Sequence, residues 1–110
     1  MTKYLMLVIV DPEAEMSQEQ EEAMGPRTDA WVADAGAARV MGNQLVGPDE
    51  ATTFRVRDGQ LIATDGPFAE TKELIVGFDL LDCDSLDEAR RIASTHPLTE
   101  FGAIELRAFM

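Results

Sequence analysis

The chain has 110 residues, of which 21 are acidic and 9 basic, for a formal charge of −12. That length predicts a single domain, residues 1–110, with one core that removes about 65% of the unfolded chain's surface from water. The charge excludes direct binding of nucleic acid or anionic membrane unless a local basic patch exists, and no such patch is present in the sequence.

The first element is a strand. Tyr4 to Val10 is a continuous apolar run, far short of the ~20 residues that span a bilayer. Asp11-Pro12-Glu13 follows where a secretory signal would carry its small-residue cleavage site. Continuous rather than alternating apolarity means that both faces of the strand are covered. Two helices can cover only one face of a sheet, so the other is expected to meet a second copy of the chain.

Ser17 and Gln20 have capping-box spacing and predict a helix start. Gly25-Pro26 interrupts the pattern, as a kink or as the first turn of a second helix. Met24, Trp31 and Ala35 share a helical face, and Gly36 is a natural stop. Arg39 to Val46 reads as a strand with Val40, Gly42, Gln44 and Val46 on one face. Gly47-Pro48-Asp49 is a turn. Thr52 to Arg57 and Leu61 to Thr64 flank Asp58-Gly59, a strong hairpin signal.

Ile75 to Asp82 is the next strand. Val76, Phe78 and Leu80 lie on one face; Ile75, Gly77, Asp79 and Leu81 lie on the other. Ser85 and Glu88 predict a second capping box and helix, with Leu86, Ala89, Ile92 and Ala93 as its buried stripe. His96-Pro97 ends that helix, and Ala103 to Phe109 alternates as the final strand. With the Asp58-Gly59 hairpin set aside, the order is β-α-β-β-α-β. The expected fold is therefore α+β and ferredoxin-like, an antiparallel sheet with two helices on one face and an extra β-hairpin.

Few residue patterns carry chemistry. Cys83 permits no internal disulfide and no cysteine-based zinc cluster, and Asp82 and Asp84 oppose its reactivity as a thiolate. The acids around Asp84 lack the glycine and glutamate of a calcium loop. No phosphate loop, nucleophile elbow or histidine-rich metal pattern occurs. No cofactor and no metal are expected, and a cytoplasmic location fits the lone cysteine and the absent leader. His96 is the single histidine and the side chain that titrates nearest neutral pH, placed where a helix C-terminus favours imidazolium. Asp79 and Asp65 are the other acid–base candidates; turn capping is the simpler role for Asp65. Phe68, Glu70, Lys72, Trp31 and Arg55 are candidate ligand contacts, with Trp31 more at home in a core. Arg55, Arg57 and Arg107 are placed to bind a carboxylate or to pair with Asp79 and Glu105 across strands.

The segment Asp65-Gly66-Pro67-Phe68-Ala69-Glu70-Thr71-Lys72-Glu73 resembles the signature of DGPF-domain proteins of the YCII-related (YciI-like) family. Lys3-Tyr4, Val56-Arg57-Asp58-Gly59, Asp84 to Ala89 and Gly102 to Arg107 resemble flanking family segments in the same order. The resemblance implies a dimeric α+β barrel, a homodimer formed through the sheet. It also implies a link to extracytoplasmic-function sigma factors, which at −12 would run through protein contact. Enzymes of the wider group degrade ring compounds, among them a dehydrochlorinase type, with a histidine on the first helix and an aspartate in the sheet region. No histidine occurs between Ser17 and Gly36, so that dyad does not carry over. A binding or regulatory module is accordingly placed ahead of a cofactor-independent isomerase or lyase acting on a small ring compound.

Overall fold

A computed structural model describes residues 2–66 and 74–110. Among these residues, six strands and two helices follow in the order β1 (Thr2–Val10), α1 (Gln18–Ala35), β2 (Arg39–Gln44), β3 (Thr52–Arg57), β4 (Gln60–Asp65), β5 (Leu74–Cys83), α2 (Leu86–Ser94) and β6 (Gly102–Ala108). Short 3-10 turns at Gly36–Ala38, Pro48–Glu50 and Pro97–Glu100 link them.

Four strands form an antiparallel sheet in the order β2-β5-β1-β6. That is the ferredoxin-like order for a β-α-β-β-α-β chain, and the fold is α+β as its element order predicts. Among the described residues, strands β3 and β4 pair only with each other, as a separate two-stranded sheet. Asp58 and Gly59 close that hairpin with φ of 52° and 76°, the left-handed pair that a two-residue turn requires.

The core lies between the sheet and the helices. Tyr4 and Met6 of β1, with Leu81 and Cys83 of β5, pack against Trp31 of α1 and Ala89, Ile92 and Ala93 of α2. Side chains alternate across a strand, so Leu5 and Leu7 of β1 and their partners Leu80 and Phe78 of β5 lie on the sheet's other face. Leu86 is 42% exposed: it stands at the first position of α2 and takes no part in the buried stripe expected for it. Strand β2 ends at Gln44, two residues short of the expected Val46.

Caps fix both helices. Ser17 Oγ accepts the Gln20 N–H at 3.1 Å, and the Ser17 N–H donates to Gln20 Oε1 at 2.9 Å. Ser85 Oγ accepts the Glu88 N–H at 3.1 Å. The Glu88 carboxylate reaches one residue further back than a standard box and accepts the Asp84 N–H. Helix α1 runs unbroken through Pro26, so of the two alternatives for Gly25-Pro26, a split into two helices is ruled out.

The molecule measures 48 × 39 × 17 Å, with a radius of gyration of 16.0 Å. A compact domain of this length has a radius near 13 Å. The β3–β4 hairpin stands apart from the four-stranded sheet as an arm, with Phe54 at 64% and Leu61 at 70% exposure.

Candidate functional site

A cavity of about 370 Å³ lies between α1 and the helix-facing side of the sheet. Its volume is in the range of small-molecule sites. Met24, Gly25, Thr28, Asp29 and Val32 line it from α1, and Val8 from β1. Arg39, Asn43 and Gln44 of β2, the β5 segment 76–79, His96 and Leu98 complete the wall. Apolar side chains shape the space, and a few polar groups converge on one part of it.

The first polar pair is Arg39 and Asp79. Arg39 Nε donates to Asp79 Oδ1 at 2.7 Å. Asp79 is 6% exposed, so this bond is what makes its burial tolerable. A β-bulge creates the pairing. Arg39 stands opposite Leu81 and Gly42 opposite Asp79, with Val40 as the extra residue between Arg39 and Met41. Three residues apart, Arg39 and Gly42 would ordinarily face opposite sides of the sheet. The bulge puts both on the helix side, beside Asp79. A Cβ at position 42 would collide with Asp79 Oδ1 and with the Arg39 guanidinium. The ion pair therefore crosses the sheet through the space that Gly42 leaves.

His96 is the second feature. It is 3% exposed, and Nδ1 accepts the N–H of Leu98 at 3.1 Å. Its ring meets Trp31 with centroids 4.7 Å apart and planes tilted by 60°. Burial pushes the imidazole below its ordinary value, and the Asp79 carboxylate opposes that shift. This corrects the expectation of a favoured imidazolium. The side chain does follow α2, but it acts as the N-terminal cap of the next turn, Pro97–Glu100, where it accepts a backbone N–H.

The other sequence candidates fall elsewhere. Trp31 is a core residue, 4% exposed, whose Nε1 donates to the Ile92 carbonyl at 2.8 Å and ties α1 to α2. Asp65 closes β4 opposite Thr52 at the base of the arm, exposed and away from the cavity wall. Arg55 lies on β3 opposite Ile62, also off the wall. Phe68, Glu70 and Lys72 lie outside the described residues. Arg107 bonds Glu105 at 2.9 Å along β6. Cys83 is buried, and desolvation, with Glu88 and the flanking aspartates, pushes its thiol up. Among the described residues, no cluster of three or more metal-ligating side chains occurs, and no helix is long and apolar enough to cross a membrane.

Sequence reasoning missed Arg39, Thr28 and Asp29 on the cavity wall. The aspartate at position 79 was the available signal, because a carboxylate on a buried strand face demands a cation nearby.

The chain is similar to several known proteins. Over an alignment of 68 residues the chain is 47% identical to the uncharacterised protein R00369 of Rhizobium meliloti (strain 1021), a match that covers 58% of this chain and 53% of that one. The matched segment thus spans about half the length of that curated relative. Among solved structures, the chain resembles 5-chloro-2-hydroxyhydroquinone dehydrochlorinase from Burkholderia phenoliruptrix AC1100 in complex with 2,5-dihydroxybenzoquinone, at a TM-score of 0.58 and 14% identity. That likeness covers 98% of this chain and 93% of the other and concerns the fold. The model of the YCII-related domain matches residues 2–110, and with its strand order and helix placement the chain belongs to the YCII-related domain family.

Proposed function

We propose that this protein binds a small cyclic organic molecule in the cavity between α1 and the sheet and carries out acid–base chemistry on it without a cofactor. One observation carries the reading. A buried carboxylate, a buried imidazole and a guanidinium meet on the wall of a largely apolar cavity of about 370 Å³. Apolar walls supply affinity for a ring, and a few fixed polar groups orient it. Asp79, held by Arg39, is the proton-transfer group, and His96 stands beside it on the same wall. The structural neighbour is a dehydrochlorinase in complex with a quinone, which is compatible with a ring compound here.

The test is calorimetric titration with 2,5-dihydroxybenzoquinone and a set of small cyclic phenols and ketones. One saturable site per chain is expected, lost in Thr28→Trp, which fills the cavity from α1. Absence of any saturable binder, or binding that Thr28→Trp leaves unchanged, overturns the reading.

The proposal includes a cytoplasmic homodimer. Its support is the sheet face opposite the helices, where Leu5, Leu7, Phe78 and Leu80 form an apolar patch. A self-complementary patch of this kind suits a two-fold interface. Two copies bring twice the −12 charge, so the dimer should tighten as salt screens the repulsion. Sedimentation of the wild type and of Phe78→Glu reads this directly: a dimer is expected for the first and a monomer for the second. A sigma factor, the protein partner that the resemblance implies, is the competing occupant. A wild type that is monomeric at all salt concentrations but captures a purified extracytoplasmic-function sigma factor would overturn the homodimer in its favour.

A further inference from the structure

The two nitrogens of His96 are not equivalent. Nδ1 accepts the Leu98 N–H at 3.1 Å. A backbone amide can only donate, so Nδ1 must present its lone pair rather than a proton. In a neutral ring the proton then sits on Nε2. Among the described residues, Nε2 has no hydrogen-bond partner, and His96 lines the cavity. A positive ring would set two N–H groups against each other at Nδ1, and desolvation also disfavours it.

The charged groups that face this wall do not reverse that state. Asp79 on β5 draws the ring towards protonation, but its carboxylate is bonded to Arg39 of β2 rather than to His96. Asp29 lines the same cavity from α1. At neutral pH the site therefore holds a donor without charge next to an ion pair that is already satisfied.

We propose that His96 gives its Nε2–H to an oxygen of the cavity's ligand, so that it polarises a ring carbonyl or a comparable acceptor instead of removing a proton. This rests on the reading of the cavity as a ligand site and narrows its ligand to cyclic molecules that carry an acceptor oxygen. A neutral imidazole, its Nδ1 capping a backbone N–H and its Nε2–H aimed at a carbonyl, is an established way to stabilise developing negative charge on oxygen. Proton abstraction is left to Asp79.

The tautomer is read without any ligand. A long-range proton–nitrogen spectrum of the labelled protein at pH 7 should show one imidazole with its proton on Nε2. A proton on Nδ1, or an imidazolium, overturns the donor role. Cyclohexanone is then titrated, with methylcyclohexane as the control that lacks the oxygen. The ketone should move the Nε2–H resonance and the hydrocarbon should not. A resonance that saturating ketone leaves unmoved overturns the acceptor-oxygen class. Binding of the ketone should weaken about tenfold in His96→Phe, the loss of one hydrogen bond, and much less in His96→Gln, which keeps a donor. Equal losses in the two variants would mean a packing role only. Failure of the cavity itself is read separately, by the titration of wild type against Thr28→Trp.

Discussion

Arg39 and Asp79 are joined at 2.7 Å across adjacent strands, over the one position on β2 where no side chain stands. The pair is only partly dry: the Asp79 side chain is 8% exposed and that of Arg39 22%. Its arrangement depends on the residue count of β2, because the bulge at Val40 brings Arg39 to the helix side. Charge, register and a glycine thus act as one unit.

Removing part of that unit should cost more than removing both charges. Arg39→Met leaves Asp79 buried without its cation and should destabilise the fold by about 3 kcal/mol. Adding Asp79→Leu should restore much of that loss. Gly42→Ala forces the pair aside and should cost about 2 kcal/mol, as other overpacked interior sites do. Urea unfolding of the four proteins measures these values. A double variant no more stable than Arg39→Met would show that the pair is not coupled.

His96 gives a pH dependence with a defined sign. Its folded pKa lies below the ordinary 6.5 because of burial, so below pH 6.5 the unfolded chain binds the proton first. Stability from the neutral ring is complete above about pH 6.5 and declines as pH falls through the window down to the folded value. Other acidic groups add their own slopes, so the comparison is with His96→Gln. Wild type minus variant should fall in stability on acidification below pH 6.5 and stay constant above it. A difference that is flat across the window contradicts the buried neutral state.

Pro26 sits inside α1 and has no N–H to offer the carbonyl of Glu22. An interior proline costs a helix about 3 kcal/mol relative to alanine. Pro26 is exposed, so Pro26→Ala removes little packing and should raise stability by about 1–3 kcal/mol in thermal or urea unfolding. A loss of stability would mean that α1 needs the proline to reach its seat over the cavity.

The sequence pattern predicted elements whose cause is local and predicted side-chain encounters poorly. Ser17 with Gln20, Asp58-Gly59 and the apolar run at β1 each specify their structure within a few residues, and they were legible for that reason. Asp79 is legible as an anomaly, but its spacing offers Arg55, Arg57 and Arg107 as partners rather than Arg39. Strict alternation places Arg39 and Gly42 on opposite faces of β2, and only a bulge, which no local residue signal announced, reverses that. His96 illustrates a second limit. Its chemical state depends on whether it ends one helix or caps the next turn, and a two-residue hydrogen bond to Leu98 decides between them. The cavity as a whole is a product of packing. Gly25, Thr28 and Asp29 are ordinary surface-helix residues until the sheet is placed beneath them.

The strand order has a kinetic meaning as well. β1 lies between β5 and β6, and Tyr4 pairs with Leu81 on one side and Ala108 on the other. Both partners are distant in sequence, so loop closure across most of the chain must precede the central pairing. The β3–β4 hairpin, by contrast, closes over two residues and can form within microseconds. Such a chain should assemble its arm first and its centre late, with folding in the slower range of mixed α/β domains. Until β6 arrives, β1 presents an apolar open edge, and that interval is when this protein is most exposed to aggregation.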